Sequence, residues 1–380
     1  MDSYLKGITI LGSTGSVGTQ TLDVIKTHSG KFKIVGLAAN NNHIQLSKQV
    51  EAYTPKYITY SGTSTTLEDI CNTYQVSKRK LSEIATSKET DLLVVATTGS
   101  VSLTPTFEAI SSGKNIAIAN KEIIIMAGEK LISHAQTHNV NLMPVDSEPS
   151  AIWQCLIGEK HSDIDKITIT ASGGAFRDIS TENLETVSAK DSLNHPTWNM
   201  GSKITVDSAT MMNKAFEVIE AKWLFDVDWD DINVILHPES LVHSFVGFSD
   251  GSTKAQISPP DMRLPIQYAL FHPERMENKN LQKFNPAKSK NITFKEIDNN
   301  RYPCFEMALS YAKKGGTWAS ALCGADESAV SAFLSEQIGF MEISEIIKSA
   351  IHSHNSIESP TLEDLIAAYN WGQEQVNNIL

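Results

Sequence analysis

The sequence predicts an α/β protein: an N-terminal parallel sheet, an α+β middle and a C-terminal helical bundle. Three observations predict it. Short apolar runs alternate with helical patterns over the first 146 residues, the mark of a parallel sheet covered on both faces. Strand-like runs and a hairpin signal dominate the next stretch, and after residue 300 only helical patterns follow.

In order, residues 7–11 are an apolar run ending at a glycine turn, 17–26 have a helical period, and 32–38 are a second buried-strand run. Residues 91–97, 115–119 and 141–145 continue the strand series. Between them, Pro105 fits a helix's first position and Gly113 the position just past its end. Residues 61–90 are polar and ambiguous. Residues 166–170, 203–206, 232–236 and 241–248 read as strands, with Ser249-Asp250-Gly251-Ser252 as a hairpin turn into 253–257. Residues 278–294 have little amphipathic period and read as a connector. Helical patterns cover 305–314, 319–336, 343–352 and 362–379, punctuated by Gly315-Gly316, Gly339 and Pro360. The expected domains are 1–146 for a nucleotide cofactor, 147–277 for catalysis and 301–380 as a helical bundle, with 278–300 as connector.

Composition narrows the function. Of 380 residues, 41% are hydrophobic and 20% charged, which excludes a disordered chain or a bare coiled coil. The formal net charge is −12 and the longest basic run is Lys78-Arg79-Lys80, so a nucleic-acid partner is not expected. Helix N-termini and a bound cation can still attract an anionic substrate. Cys71, Cys155, Cys304 and Cys323 lie far apart and form no CxxC pair, which favours a reducing compartment. The N-terminal residues lack an apolar signal core, and no apolar run approaches the roughly 20 residues of a membrane span. The expectation is a soluble cytoplasmic enzyme or binding protein with no membrane partner.

Leu11-Gly12-Ser13-Thr14-Gly15-Ser16-Val17-Gly18 follows the first strand and opens a helix. Glycines permit a tight turn, and free N–H groups at the helix start can hold a phosphate. An NAD-selective site usually carries an acid at the end of the second strand. Here that stretch reads Asn40-Asn41-Asn42, which favours NADP. The spacing is GxxGxxG, so a βα turn without ligand is the plainer alternative.

Pro144-Val145-Asp146-Ser147-Glu148-Pro149 ends another strand. In an extended chain Asp146 and Glu148 share a side and can meet on a hard cation. Alternatively Ser147 or Glu148 caps a helix opened by Pro149. In the segment 206–217, Asp207 or Ser208 suits a helix N-cap. Phe216, Ile219 and Trp223 then form an apolar face, and Thr210, Asn213, Lys214 and Glu217 fall on the other side. That polar face could bind an anion and supply a third metal ligand. The stretch 170–177 around Ser172 reads as a glycine-loosened strand end or a turn. His195-Pro196-Thr197-Trp198-Asn199-Met200-Gly201 reads as a surface loop or a lid. His237 and His243 flank a strand start and read as structural, or as supports behind a site.

Taken in order, these segments resemble the 1-deoxy-D-xylulose 5-phosphate reductoisomerase family of the non-mevalonate isoprenoid pathway. The motifs are LGSTGSVG, ANKE at 119–122, PVDSE at 144–148, ASGGAFR, HPTWNMG, KITVDSATMMNKAFE and HPESLVHS at 237–244. The resemblance implies a Rossmann-like first domain and a homodimer. It implies NADPH and one Mg²⁺ or Mn²⁺ per subunit, and conversion of a phosphorylated ketose to 2-C-methyl-D-erythritol 4-phosphate. Asp146, Glu148 and Glu217 would hold the metal. Lys121 and Ser147 would contact the substrate beside it, and Ser172, His195, Ser208, Asn213 and Lys214 its phosphate. Lys121, Asp146, Glu148, His195 and Glu217 would be the catalytic set. Thr14, Gly15, Ser16 and Val17 would hold the cofactor pyrophosphate, and Asn40, Asn41 and Asn42 its adenosine phosphate. Asn120, Glu122 and Gly201 would also line the cofactor, and Trp198 and Met200 would belong to a closing flap.

Four positions depart from the family pattern: Ile123, Pro149, Ala175 and Ala215. None replaces an implied ligand. The alternative function is a metal-dependent sugar-phosphate aldolase or isomerase without hydride transfer.

Overall fold

The computed structural model describes residues 4–289 and 291–380. Its first half alternates strand and helix. Strand β1 (Lys6–Leu11) leads to α1 (Ser16–Thr27), β2 (Phe32–Ala39) to α2 (His43–Tyr53), and β3 (Tyr57–Tyr60) to α3 (Thr65–Thr73). Then come β4 (Ser77–Lys78), α4 (Leu81–Ala85), β5 (Leu92–Val95), α5 (Leu103–Ser111), β6 (Asn115–Ile118), α6 (Lys121–Thr137), β7 (Leu142–Pro144) and α7 (Ser147–Leu156). The second half begins with β8 (Ile164–Ala171), α8 (Ala189–Ser192), α9 (Ser202–Thr210) and α10 (Met212–Phe225). It continues with β9 (Ile232–Leu236), β10 (Val242–Phe248), β11 (Thr253–Ile257) and α11 (Arg263–Phe271). Helices α12 (Pro303–Ala312), α13 (Trp318–Leu334), α14 (Glu342–Ile351) and α15 (Leu362–Ile379) end the chain.

The chain divides into two compact units. The first holds Met1–Asn120, Glu129–Ser150 and Asp261–Leu281. Its seven strands are all parallel, in the order β4-β3-β2-β1-β5-β6-β7. Central strand β5 (LLVV) is apolar throughout and β1 (KGITIL) mostly so, with Ile8, Ile10, Leu11 and Leu92 fully buried, because helices cover both faces. The β-branched and leucine content suits that double burial. Strand order reverses beside β1, so β1 and β5 open a crevice at their carboxyl ends, where such sheets bind ligands. Helix α11 rejoins this unit late in the chain. Its Arg263 pairs with Asp23 of α1 at 3.1 Å, and its Phe271 ring lies 4.7 Å from His28.

The second unit holds Lys121–Gly128, Ala151–Pro260 and Gln282–Leu380. Its sheet runs β11-β10-β8-β9, with β10 antiparallel to both neighbours and β8 parallel to β9. The hairpin at 249–252 joins β10 to β11 as the sequence predicts. Helices α12 to α15 form the predicted bundle. Ile343, Ile347, Ala350 and Ile351 give α14 one buried stripe at helical spacing. Thr361 and Asp364 cap α15 reciprocally.

Two expectations are corrected, and one open stretch is filled. Residues 203–206 belong to helix α9, not to a strand. Ile204, Thr205 and Val206 favour a strand locally, but Lys203 pairs with Asp207 one turn on at 2.7 Å and Val206 is buried on the helical face. Pro105 is the third residue of α5 rather than its first, a position where its missing N–H still costs no helical bond. The ambiguous stretch 61–90 holds α3, the two-residue β4 and α4.

Thr361→Ala removes the oxygen that accepts the Asp364 N–H at 3.1 Å. It should lower the unfolding free energy by about 1 kcal/mol in denaturant titration.

Candidate active site

In the first unit, β1 runs into the glycine turn. Gly12 has φ +88°, and a Cβ there would lie 2.4 Å from the Ala96 carbonyl oxygen just past β5. Only glycine lets the chain turn this close to the neighbouring strand. The Gly12 and Ser13 N–H groups both donate to the Ala38 carbonyl, at 3.0 and 2.8 Å. Ser13 Oγ donates to Gln49 Oε1 at 2.8 Å, and Gln49 Nε2 returns a bond to the Ser13 carbonyl at 2.8 Å. The turn is therefore fixed from below. Helix α1 starts after Gly15, which has no side chain to cap it. Its first-turn N–H groups point at whatever sits beyond the helix end, as a phosphate site requires. Gly15 and Ser16 are exposed there, Thr14 and Val17 partly so.

Asn40, Asn41 and Asn42 follow β2 and are all exposed. Asn42 Oδ1 caps α2 by accepting from the Gln45 N–H at 3.0 Å. Asn120 follows β6 and is buried; its Nδ2 donates to Thr97 Oγ1 at 3.1 Å and to the Gly99 carbonyl at 3.0 Å. No acidic side chain stands on the 36–42 stretch.

The first unit also carries Asp146, Ser147 and Glu148. They are not extended, so the same-side argument from strand geometry fails. Helix α7 starts at Ser147, which puts Asp146 just before the helix and Glu148 in its first turn. Asp146 Oδ1 accepts the Ser147 N–H at 3.0 Å, and Ser147 Oγ donates to Glu148 Oε2 at 2.5 Å. Carboxylates suit the positive end of a helix dipole. Pro149 falls in the same first turn, where proline is tolerated.

In the second unit, α9 and α10 are separate helices. Met211 between them is left-handed, with φ +62°. Asp207 and Ser208 lie inside α9, whose N-cap is Gly201, so neither is the cap read from the sequence. The polar side of α10 is not solvated. Glu217 is 1% exposed and Lys214 5%. Asn213 Nδ2 and Lys214 Nζ donate to the two Glu217 oxygens. Lys121 Nζ donates to Asn213 Oδ1 at 2.6 Å and lies 3.7 Å from Glu217 Oε1. One carboxylate, two ammonium groups and an amide are thus packed together. Buried charges survive only in such matched sets.

Ser172 and His195 form a second group. His195 Nδ1 accepts from the Thr197 and Trp198 N–H groups at 3.1 and 2.9 Å. The ring proton therefore sits on Nε2, which donates to Ser172 Oγ at 2.9 Å. The Gly174 N–H donates to the same Oγ at 3.3 Å. With those contacts filled, Ser172 has its own O–H to give to a ligand. Burial, helped by the nearby Arg177 charge, lowers the His195 pKa to about 4. The Gly173-Gly174 turn then reaches α9: a Cβ on Gly174, at φ +74°, would lie 2.5 Å from Ala209 Cα and 2.6 Å from the Ser208 carbonyl. This brings the Ser172 loop against Ser208. Trp198 and Met200 are half-buried on the 195–201 loop, and Trp198 lies 6.1 Å from the His243 ring. Gly201 is exposed at the head of α9. Glu122 Oε1 lies 3.8 Å from Lys203 Nζ.

Three family models match. The 1-deoxy-D-xylulose 5-phosphate reductoisomerase model covers residues 8–128, its C-terminal domain model 142–225, and the DXP reductoisomerase C-terminal domain model 257–375. The 1-deoxy-D-xylulose 5-phosphate reductoisomerase of Desulforamulus reducens is 45% identical over 99% of both chains. The chain belongs to the 1-deoxy-D-xylulose 5-phosphate reductoisomerase family.

The reductoisomerase of Thermoanaerobacter pseudethanolicus is also 45% identical, over 95% of this chain and 96% of its own. A solved reductoisomerase from Zymomonas mobilis in complex with NADPH superposes with a TM-score of 0.91, at 34% identity over 99% of each chain. A DOX-P reductoisomerase in complex with NADPH, fosmidomycin and magnesium gives 0.92, at 34% identity over 98% of each chain. As the sequence anticipates, this is a reductoisomerase-family chain with an α/β fold.

Two features of the second unit carry no clear signal in the motifs. Arg177 Nη1 donates to the Ser172 and Pro238 carbonyls at 3.1 and 3.0 Å and so braces the Ser172 turn. Its place at the end of ASGGAFR was the available signal. Asp326, which pairs with Lys203 at 2.6 Å, had none, because α13 reads as an ordinary apolar helix. His237 is structural: its Nε2 accepts from the Leu241 and Val242 N–H groups at 2.9 and 3.1 Å.

His195 should stay neutral, with its proton on Nε2, down to about pH 4; a nitrogen-15 histidine titration with a midpoint near the ordinary 6.5 would contradict the network. The folded pKa is the lower one. His195 therefore costs stability progressively as pH falls from 6.5 towards 4, and His195→Gln should flatten that part of the melting profile.

Proposed function

We propose that this protein converts 1-deoxy-D-xylulose 5-phosphate to 2-C-methyl-D-erythritol 4-phosphate with NADPH and a divalent cation, Mg²⁺ or Mn²⁺. The carrying observation is the complete set of groups the chemistry needs: Lys121, Asp146, Ser147, Glu148, Ser172, His195, Ser208, Asn213, Lys214 and Glu217 are all present. Relatives and solved structures matching nearly the whole chain bear the reductoisomerase name, and one solved relative carries NADPH, fosmidomycin and magnesium.

The donor sets fit both groups. Asp146, Glu148 and Glu217 would offer three hard carboxylate oxygens to a divalent cation. Bound there, the cation polarises the substrate oxygens and stabilises negative charge developing on them. Thr14, Gly15, Ser16 and Val17 present helix-start N–H groups to a pyrophosphate, and Asn40 and Asn41 leave room for a 2′-phosphate that an acid would repel. NADPH supplies the hydride that reduces the aldehyde formed when the ketose skeleton rearranges.

The chain's own residues bind, orient and shield. Ser172 and Ser208 give O–H groups, Asn213 an amide and Lys214 an ammonium to the substrate phosphate. His195 keeps its Nε2 proton and fixes the Ser172 hydroxyl. That anchor is remote from the reacting carbons, so its binding energy serves orientation. Lys121 and Ser147 hold substrate oxygens beside the cation. Asn120, Glu122 and Gly201 line the cofactor. Trp198 and Met200 close over the site and exclude water from the aldehyde. We further infer a cytoplasmic homodimer, which sedimentation tests. No helix among the described residues is long and apolar enough to cross a membrane.

The direct test is loss of NADPH absorbance on adding the ketose phosphate and Mg²⁺. An active preparation should show it, and chelation should stop it. Glu217→Gln should lower turnover about 100-fold or more, the scale of losing one charge-stabilising group, with NADPH binding kept. Unchanged turnover would sink the ligand assignment. Trp198→Ala should lower kcat without changing the melting temperature; wild-type kinetics would leave Trp198 as packing.

A further inference from the structure

The second unit buries two carboxylates on one ammonium apart from the groups above. Lys203 Nζ lies 2.6 Å from Asp326 Oδ2 and 2.7 Å from Asp207 Oδ2, with Glu122 Oε1 at 3.8 Å. The ammonium also sits 5.0 Å from the Phe216 ring centroid. Asp326 has no exposed surface and Asp207 is 2% exposed. Lys203 and Asp207 are one turn apart on α9, Asp326 is on α13, and Glu122 follows Lys121. One side chain therefore ties together the stretches that carry Gly201, Ser208 and Lys121.

The charges do not balance. Full ionisation would leave two buried carboxylates and Glu122 against a single ammonium. An unmatched carboxylate in a low-dielectric interior takes up a proton instead. Asp207 Oδ1 and Asp326 Oδ1 have no hydrogen-bond partner among the described residues, so an added proton meets no competing donor. Burial, reinforced by Asp326, pushes the Asp207 carboxyl up to about 8, and burial also raises Asp326. Burial opposes the charge on Lys203, but Asp207, Asp326 and Glu122 outweigh it and raise its pKa. The other titratable groups facing the cluster are Glu327 and Cys323 on α13 and Cys304 on α12. Burial raises the pKa of all three, so the thiols stay neutral and supply no counter-charge.

We propose that Lys203, Asp207 and Asp326 are positioning residues for the reaction, a hub that keeps one proton on its carboxylate pair and fixes α9 to α13 and to the Lys121–Glu122 stretch. The catalytic side of this proposal rests on the function proposed above. Since Ser208 and Gly201 sit on α9 and Lys121 adjoins Glu122, loosening the hub displaces substrate and cofactor contacts together.

The test uses full-length Asp207→Asn and the double variant Asp207→Asn with Asp326→Asn. The side-chain amide of the single variant copies a neutral carboxyl, so its kcat/KM at neutral pH should stay close to wild type. The double variant leaves the ammonium with Glu122 alone and should lose about 100-fold in kcat/KM per folded molecule, the scale of a misplaced site. Equal kinetics in the two variants would overturn the hub.

A second readout needs no turnover. The Asp207 carboxyl rises from 3.8 in the unfolded chain to about 8 in the fold, so the native state holds an extra proton between those values. Wild-type stability therefore falls as pH rises across that window, and an asparagine does not follow it. The melting temperature of Asp207→Asn relative to wild type should climb from about pH 4 to about pH 8 and then level off. A flat difference would also overturn the hub. A wild-type protein that reduces no ketose phosphate would count against the catalytic reading alone, and the melting comparison would still decide the hub.

Discussion

Burying a carboxylate demands a matching positive charge or a proton, and the second unit is organised around that demand. Glu217 is almost wholly removed from water and is met by Lys121, Lys214 and Asn213. Its position on α10 is therefore fixed by side chains from its own helix and from the start of α6. The same demand recurs at Asp207 and Asp326, where one lysine serves two acids. A surface ion pair of similar geometry would be worth little, because water competes for both partners. Here the alternative is an unpaired buried charge, so the arrangement is held strongly.

The first unit solves a different problem with neutral groups. A phosphate needs N–H donors that are not already used, and a helix start supplies them. Keeping them unused requires that the turn be held by something else. The Ala38 carbonyl, Ser13 and Gln49 hold it through hydrogen bonds, none drawn from the first turn of α1. The parallel sheet sets this turn beside the ends of β5 and β6, where Thr97, Gly99 and Asn120 form their own small network.

Much of this was legible because it is local. Apolar runs gave the strands, glycine spacing gave the turn, and helical spacing put Phe216 and Ile219 opposite Asn213 and Glu217. Legibility failed where tertiary contacts override local preference. Residues 203–206 have strand-forming side chains, yet an ion pair along the helix and one to Asp326 make them helical. Ser147 and Glu148 looked extended because a strand precedes them; the helix begins one residue after Asp146, and only its first-turn geometry decides that. The late return of α11 to the first unit was invisible, since an apolar helix face does not name its partner. Asp326 was invisible for the same reason: nothing near it in sequence marks it as functional.

Met211 marks the joint between α9 and α10, and its consequence concerns which residues can occupy it. The left-handed backbone there favours glycine, while the site it fills is 1% exposed and favours a large apolar side chain. Glycine would relax the backbone and leave a void; a β-branched residue would fill the void and strain the backbone further. An unbranched, flexible thioether satisfies neither requirement fully but violates neither badly. The joint between the helix bearing Ser208 and the helix bearing Glu217 is thus a compromise position with very few acceptable occupants.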